Sequence, residues 1–176
     1  MKMIKLKLLY TFISFLIIFL LITRVHAATE GTVTATVTIG VVSVTISPSN
    51  FDYGTMPFSS VKESFDVIDI SGDKNIKATV GSLLTDLDIK GSDTTDWSLS
   101  STSIGVNQYM YKYGTSTDAV TRPASYSSLT TSYDNVLASD ISANSYIWFG
   151  LQMNTPSSGI ATQQSASVTV LASWGE

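Results

Sequence analysis

The sequence predicts an all-β fold, an antiparallel two-sheet β-sandwich of about eight or nine strands. Three observations lead to this prediction. Ser and Thr make up 46 of the 149 residues that follow Ala27. Apolar and polar residues alternate with a period of two in several short stretches, whereas long helical periodicity is hard to find. Turn-forming Gly, Ser, Asn and Asp recur between these stretches, as they do in sandwiches built from short strands.

The N-terminus has the organisation of an export signal. A short basic region contains three lysines, an apolar run extends from Leu8 to Ile22, and Val25-His26-Ala27 supplies the residues that a signal peptidase reads. We therefore predict a signal peptide helix over residues 1–27, cleaved after Ala27, and a single secreted domain over residues 28–176. The alternative is an uncleaved anchor, although the apolar run is shorter than the about 20 residues that normally cross a membrane. Membrane contact is expected only through this segment before cleavage.

The strands are predicted in chain order from alternation. Thr32 to Ile39 alternates β-branched and small residues, and the alternation continues over Val42 to Ile46 after a phase slip at Gly40, which indicates a bulge or a passage between sheets. The stretch from Thr115 to Ser132 is less periodic and is predicted to be a long connection or a weak edge. The remaining strands are predicted at Ser64–Ile70, Ile76–Val80, Leu84–Ile89, Trp97–Ser100, Gln108–Tyr113, Ser145–Met153 and Ser165–Trp174.

The first predicted strand lacks the usual protection against pairing with another chain. Natural edge strands carry a Lys, a Pro or a bulge, but Thr32 to Ile39 has no charge, no Pro and no Gly. Two interpretations stay open. The strand either crosses between the sheets of its own sandwich or completes a neighbouring copy by strand addition.

Several short motifs resemble a known class of surface protein. Val42 to Phe58 (VSVTISPSNFDYGTMPF) resembles the opening of many secreted prokaryotic immunoglobulin-like domains, in which a V-x-V strand meets a Pro turn and an aromatic-x-Gly-Thr segment. Leu151 to Pro156 and Val168-Thr169-Val170 fit the same layout. Trp97-Ser98-Leu99 is similar to the tripeptide of WxL cell-wall-associated domains. The resemblance implies an immunoglobulin-like sandwich at a prokaryotic cell surface.

Composition excludes several kinds of chemistry. Residues 28–176 carry six basic and fourteen acidic side chains, a net charge of −8, which disfavours a nucleic-acid partner. The chain has no Cys, and its one histidine, His26, lies in the predicted signal. Ser59-Ser60-Val61-Lys62 matches S-x-x-K, but its companion motifs are missing and we interpret it as an exposed loop. We therefore predict no enzymatic activity, no catalytic residues and no cofactor.

Four acidic residues form the densest carboxylate group. Asp86 and Asp88 begin a calcium-loop pattern, but Lys90 occupies the next ligand position and no Glu closes the loop. We interpret these two residues, with Asp93 and Asp96, as solvated turn acids and predict no metal site. A calcium site is the alternative.

Two aromatic stripes are the candidate interaction residues. Tyr109, Tyr111 and Tyr113 share one strand face, and Tyr146 and Trp148 share another. Exposed rings can stack on sugars or anchor a protein interface, whereas buried rings form core. We expect one stripe to be core and leave the other open.

Two functions follow from these observations. The first is a non-enzymatic secreted or cell-surface structural protein, an adhesion or filament or surface-layer-like subunit that self-associates through its first strand. The alternative is a carbohydrate-binding or cell-wall-binding module that uses the exposed Tyr/Trp stripe.

Overall fold

The computed structural model describes residues 40–175, which form an all-β fold. The predicted signal peptide (1–27) and the predicted first strand (Thr32–Ile39) lie outside the described residues. Within residues 40–175, no helix is long and apolar enough to span a membrane. The strands of this region are β1 Val44–Ser47, β2 Val61–Glu63, β3 Ile76–Val80, β4 Thr85–Gly91, β5 Ser98–Leu99, β6 Gln108–Ser116, β7 Ser127–Ser128, β8 Asn135–Ile141, β9 Tyr146–Asn154 and β10 Val168–Trp174.

The strands form two sheets. The larger sheet has the order β1-β3-β9-β6-β5, with β2 paired to the C-terminal part of β9 and β7 paired to β6. The smaller sheet has the order β10-β4-β8. All pairs are antiparallel except β5 with β6, which is parallel. The prediction of an all-β fold with two sheets is therefore confirmed.

The two sheets share one hydrophobic core. Inward and outward residues alternate strictly in β3 and β4, and every inward residue of these two strands is buried. Fully burying one Val, Leu or Ile side chain stabilises the fold by about 1.5–3 kcal/mol. The larger sheet contributes Ile76, Ala78, Val80, Tyr109, Tyr111, Phe149 and Leu151 to this core, and the smaller sheet contributes Leu87, Ile89, Leu137 and Ile141.

The prediction of a strand over Ser64–Ile70 is wrong. Residues Ser64–Asp66 form a 3-10 turn instead. The amides of Val67 and Ile68 both donate to the Ser64 carbonyl, at 3.0 and 2.8 Å. The buried Ser64 hydroxyl oxygen accepts a hydrogen bond from the Leu151 amide of β9 at 2.8 Å. The side chain of Ser64 thus supplies the hydrogen-bond acceptor that the Leu151 amide needs, and the backbone of Ser64 can form the turn instead of pairing with β9.

The long connection predicted within Thr115–Ser132 lies across the outer face of the larger sheet. Gly114 of β6 and Gly150 of β9 pair directly, and Pro123 packs over both. Arg122 anchors this loop through ion pairs with Glu63 and with Asp66, the latter at 2.7 Å. The loop therefore covers the outer face of the larger sheet where Gly114 and Gly150 meet.

Candidate functional site

The candidate site is the open side of the sandwich, where each sheet ends in an edge strand. β1 ends the larger sheet and β10 ends the smaller one, and the two strands are neighbours. Within residues 40–175, β1 pairs only with β3 and β10 pairs only with β4. An edge strand presents backbone N–H and C=O groups that can bond another strand. This side of the molecule is therefore the place where a further strand fits.

The inner faces of both edge strands are incompletely covered. Val44 and Ile46 of β1 pack against the core but stay half-buried. Val168, Val170 and Ala172 of β10 are half-buried in the same way. The corresponding residues of β3 and β4 are fully buried. Residues 40–175 thus leave the core partly uncovered along the open side.

The free edge of β10 carries none of the usual protective devices. Its seven residues (VTVLASW) contain no charge, Pro or Gly, and they pair with β4 in continuous register from Val168 to Trp174. Leu171 is 43% exposed and Trp174 is 73% exposed. A long, regular and apolar free edge of this kind favours pairing with another strand.

The opposite edge of the same sheet is different. The register between β8 and β4 shifts twice, and β8 contains Asp140 in the left-handed region at φ 55°. Bulges and charged residues are the features that block edge-to-edge pairing. Only one of the two edges of the smaller sheet is therefore left open.

A groove of about 700 Å³ adjoins this side. Its walls are two segments without regular secondary structure, Phe51–Phe58 after β1 and Ala161–Ala166 before β10, and neither wall pairs with a strand of residues 40–175. Trp97, Tyr111 and Met153 also line it. The groove is thus bounded by unpaired chain segments on two sides and by aromatic and apolar side chains from the edge of the core.

The wall that precedes β10 is held by Trp97 and by Asp96. The Trp97 indole Nε1–H donates to the Ile160 carbonyl at 2.9 Å. The Asp96 carboxylate accepts from Thr162 Oγ1 at 2.8 Å and from Gln164 Nε2 at 2.7 Å. These hydrogen bonds, first that of Gln164 and then that of Thr162, lower the pKa of Asp96. The tryptophan of the W-x-L tripeptide thus positions one groove wall.

The wall that follows β1 is held by Lys62 and by Thr155. Lys62 Nζ donates to the Tyr53 carbonyl at 2.6 Å. Thr155 Oγ1 donates to the Pro57 carbonyl at 2.6 Å. The lysine of the S-x-x-K match therefore holds the backbone of the groove wall.

The stripe of Tyr109, Tyr111 and Tyr113 faces the core. Tyr109 is 0% exposed and Tyr111 is 4% exposed, and burial raises the pKa of both hydroxyls. The Tyr109 hydroxyl donates to the Ser92 carbonyl, and the Tyr113 hydroxyl donates to the Val136 carbonyl at 3.1 Å. Two of these three rings therefore have no free face, and Tyr111 borders the groove.

Tyr146 and Trp148 lie on the outer face of the larger sheet. Tyr146 is 50% exposed, and the two rings meet edge to face with centroids 5.9 Å apart. Lys77 Nζ sits 4.0 Å from the Tyr146 ring centroid and 5.5 Å from that of Trp148. The pair forms a small exposed aromatic and cationic patch on the sheet surface.

Three of the four acids considered for calcium, Asp86, Asp93 and Asp96, each accept hydrogen bonds from different parts of the fold. Asp86 Oδ1 accepts from the Asp140 amide at 2.7 Å, and Asp93 Oδ1 accepts from the Leu99 amide at 2.7 Å. Among the residues that the structure describes, no group of three or more His, Cys, Asp or Glu side chains converges. These carboxylates fix turns and loop ends in the fold.

Sequence reasoning did not single out the groove. The sequence did predict that Ala166, Val168, Val170 and Ala172 share one strand face, and these four residues are half-buried. The meeting of the Phe51–Phe58 segment with the Ala161–Ala166 segment depends on long-range packing, which local patterns do not encode.

A scan against protein-family models, a search of curated proteins and a search of solved structures each gave no match to this chain.

Proposed function

We propose that this protein is a non-enzymatic, secreted or cell-surface structural protein of a prokaryote, with an immunoglobulin-like β-sandwich domain. Copies associate by strand addition into a filament or a surface-layer-like array. The observation that carries this proposal is the unprotected free edge of β10, above a core that is only half-covered on that side. Strand addition uses such an edge because main-chain hydrogen bonds supply affinity.

Composition supports the same function. Residues 28–176 have neither imidazole nor thiol, the groups that most nucleophilic and acid–base sites require. The N-terminal order of basic, apolar and small residues is typical of exported proteins. Intact mass of the secreted protein tests this part, since the mass should correspond to a chain that begins at Ala28. A mass that includes residues 1–27 would contradict cleavage.

Deletion of Thr32–Ile39 tests the assembly. The full chain should form large species whose proportion rises with concentration on a sizing column. The shortened chain should stay folded and monomeric, because the strand it lacks is donated to a neighbour. If the strand instead belongs to its own core, Val33, Val37 and Ile39 would each lose about 1.5–3 kcal/mol of burial. Deletion would then lower the free energy of unfolding by several kcal/mol, which would contradict the proposal.

A second candidate function is binding to cell-wall polysaccharide through Tyr146 and Trp148. The half-exposed Tyr146 ring favours it, since an exposed ring can stack on a sugar face. Retention of the secreted domain on purified peptidoglycan should then be lost in Trp148→Ala and in Tyr146→Ala. Equal retention of both variants and the unchanged domain would exclude the patch as the binding site.

A further inference from the structure

The groove and the free edge of β10 form one continuous surface. Half-buried residues recur at every second position from Gln164 to Ala172, although β10 itself begins only at Val168. The groove wall Ala161–Ala166 therefore leads directly into the edge strand with the same inward face. A single extended segment can lie along both.

We propose that this surface is the acceptor for the Thr32–Ile39 strand of a second copy of the chain. The proposal rests on the proposed function and names the site on which that function depends. Thr32–Ile39 runs beside the groove wall and the beginning of β10. Its apolar face, which consists of Val33, Ala35, Val37 and Ile39, covers the half-buried residues there.

Length and periodicity support this occupant. Eight extended residues span about 26 Å, the length of eight residues of the acceptor at roughly 3.3 Å each. Both partners alternate with a period of two. When the two strands lie side by side, the apolar residues of the donor therefore fall on the same side of the sheet as the half-buried residues of the acceptor. Residues 28–39 span at most roughly 40 Å when extended, which allows this segment to reach a neighbouring copy.

Charge also favours this donor. Thr32–Ile39 is uncharged, and β10 is uncharged. Asp52 is the single charged side chain among the residues that line the groove. An acidic peptide would be repelled by Asp52, and a basic peptide could pair only one of its charges there, whereas a Val/Thr strand brings no charge into the groove.

Disulfide trapping between two single-cysteine variants tests the pairing. The chain has no Cys, so every disulfide formed reports an introduced pair. Thr34→Cys, Thr36→Cys or Thr38→Cys in one copy is mixed with Leu171→Cys in the other and oxidised. Trapping at Thr34 or Thr38 is the result expected if the donor also reaches the end of the groove wall, in an antiparallel or a parallel direction respectively. Residues opposite each other in neighbouring strands have Cβ atoms about 4.5–5.5 Å apart, close enough for trapping after small adjustments. Trapping at Thr36 alone would place the donor on β10 without the groove wall.

The matched control is Val136→Cys on β8. This residue is 58% exposed, compared with 43% for Leu171, and it lies on the opposite edge of the same sheet. Mixed dimers should form with Leu171→Cys and not with Val136→Cys. Equal trapping by both would show random collision and would overturn the proposal.

Charge placed in the groove tests the second half of the acceptor. Met56→Lys should abolish the large species and the Leu171 disulfide. Because Met56 also packs against the core, Gln163→Arg on the exposed rim is made alongside and should have the same effect while the melting temperature stays near that of the unchanged protein. Val136→Lys is the control of equal charge and should assemble normally.

The outcomes separate this proposal from the proposed function. Assembly that persists in both groove variants, with no trapping at Leu171, would overturn the acceptor and leave assembly itself standing. A disulfide that forms only within one chain, when Thr36→Cys and Leu171→Cys are combined, would overturn the exchange between copies. In that case the strand belongs to its own domain and the proposed function fails as well.

Discussion

Thr155 shows how one buried hydroxyl can hold a groove wall. It is 2% exposed, accepts from the Ser60 amide at 3.0 Å and donates to the Pro57 carbonyl at 2.6 Å. Thr155→Val keeps the shape and leaves both backbone groups without this partner. We expect the free energy of unfolding to fall by about 1–3 kcal/mol in denaturant titrations. Thr117→Val, at an exposed position, should change it by less than about 0.5 kcal/mol. Equal effects of the two variants would contradict this role of Thr155.

The buried tyrosines predict a loss of stability in alkali. Burial raises the pKa of Tyr111 to about 12 and raises that of Tyr109 as well, from an ordinary value near 10. Below pH 10 both hydroxyls are protonated in the folded and the unfolded chain, so they give no pH dependence. Between pH 10 and 12 only the unfolded chain loses these protons. Each tyrosine should therefore lower the free energy of unfolding by up to about 1.4 kcal/mol per pH unit.

Denaturant titrations between pH 9 and 11.5 measure this slope. Tyr111→Phe should remove one tyrosine's share of it, with little effect on the slope below pH 9. Tyr133→Phe serves as the control, because Tyr133 is only half-buried and lies outside the core cluster. An unchanged alkaline slope in Tyr111→Phe would show that the ring is more accessible than the structure indicates.

At the scale of the elements, the loop that crosses β6 and β9 can lie close to the sheet because two glycines, Gly114 and Gly150, are paired beneath it. A Cβ atom at Gly150 would lie 2.9 Å from Pro123 Cγ, and one at Gly114 would come still closer to the Ser125 carbonyl oxygen. Gly150→Ala should therefore push the loop outwards and cost about 1–3 kcal/mol through overpacking. Faster hydrogen exchange of the Asn75 amide, which donates to the Ala119 carbonyl, would report the shift.

A second variant distinguishes overpacking from a general loss of strand stability. Pro123→Gly removes the ring atoms that the new methyl group meets. Combined with Gly150→Ala, it should cost less than the sum of the two single changes. Simple additivity would mean that Pro123 does not press on Gly150.

Strands with regular alternation were predictable and irregular ones were not. β3 was predicted with its bounds, and β4, β6, β9 and β10 were predicted to within three residues at each end. β8 was missed because its pairing shifts beside Leu87, which breaks the period of two along Asn135–Ile141. The strand over Ser64–Ile70 was predicted wrongly because the Ser64 hydroxyl, and not a backbone carbonyl, accepts the hydrogen bond from the Leu151 amide. At the site, the aromatic stripes were found, but the groove arises from segments far apart in the chain.

The whole molecule combines a strongly acidic surface with a neutral open side. Residues 28–176 carry a net charge of −8, while Thr32–Ile39 and β10 have no charge at all. Long-range repulsion between copies would therefore oppose association, and the strand contact that we propose involves no ion pairs. Strand addition in this protein is expected to be limited by repulsion that salt can screen.

Assembly should accordingly increase with salt. The Debye length falls from about 30 Å at 0.01 M to about 10 Å at 0.1 M ionic strength, so repulsion between copies weakens over this range. At fixed protein concentration, the fraction of large species on a sizing column should rise between these two conditions. Leu171→Lys should stay monomeric at both, since a lysine blocks the edge of β10, whereas Val136→Lys, with the same change in charge, should follow the unchanged protein. A fraction that falls as salt is added would mean that ion pairs hold the copies together, and addition of a neutral strand at β10 would then be the wrong mechanism.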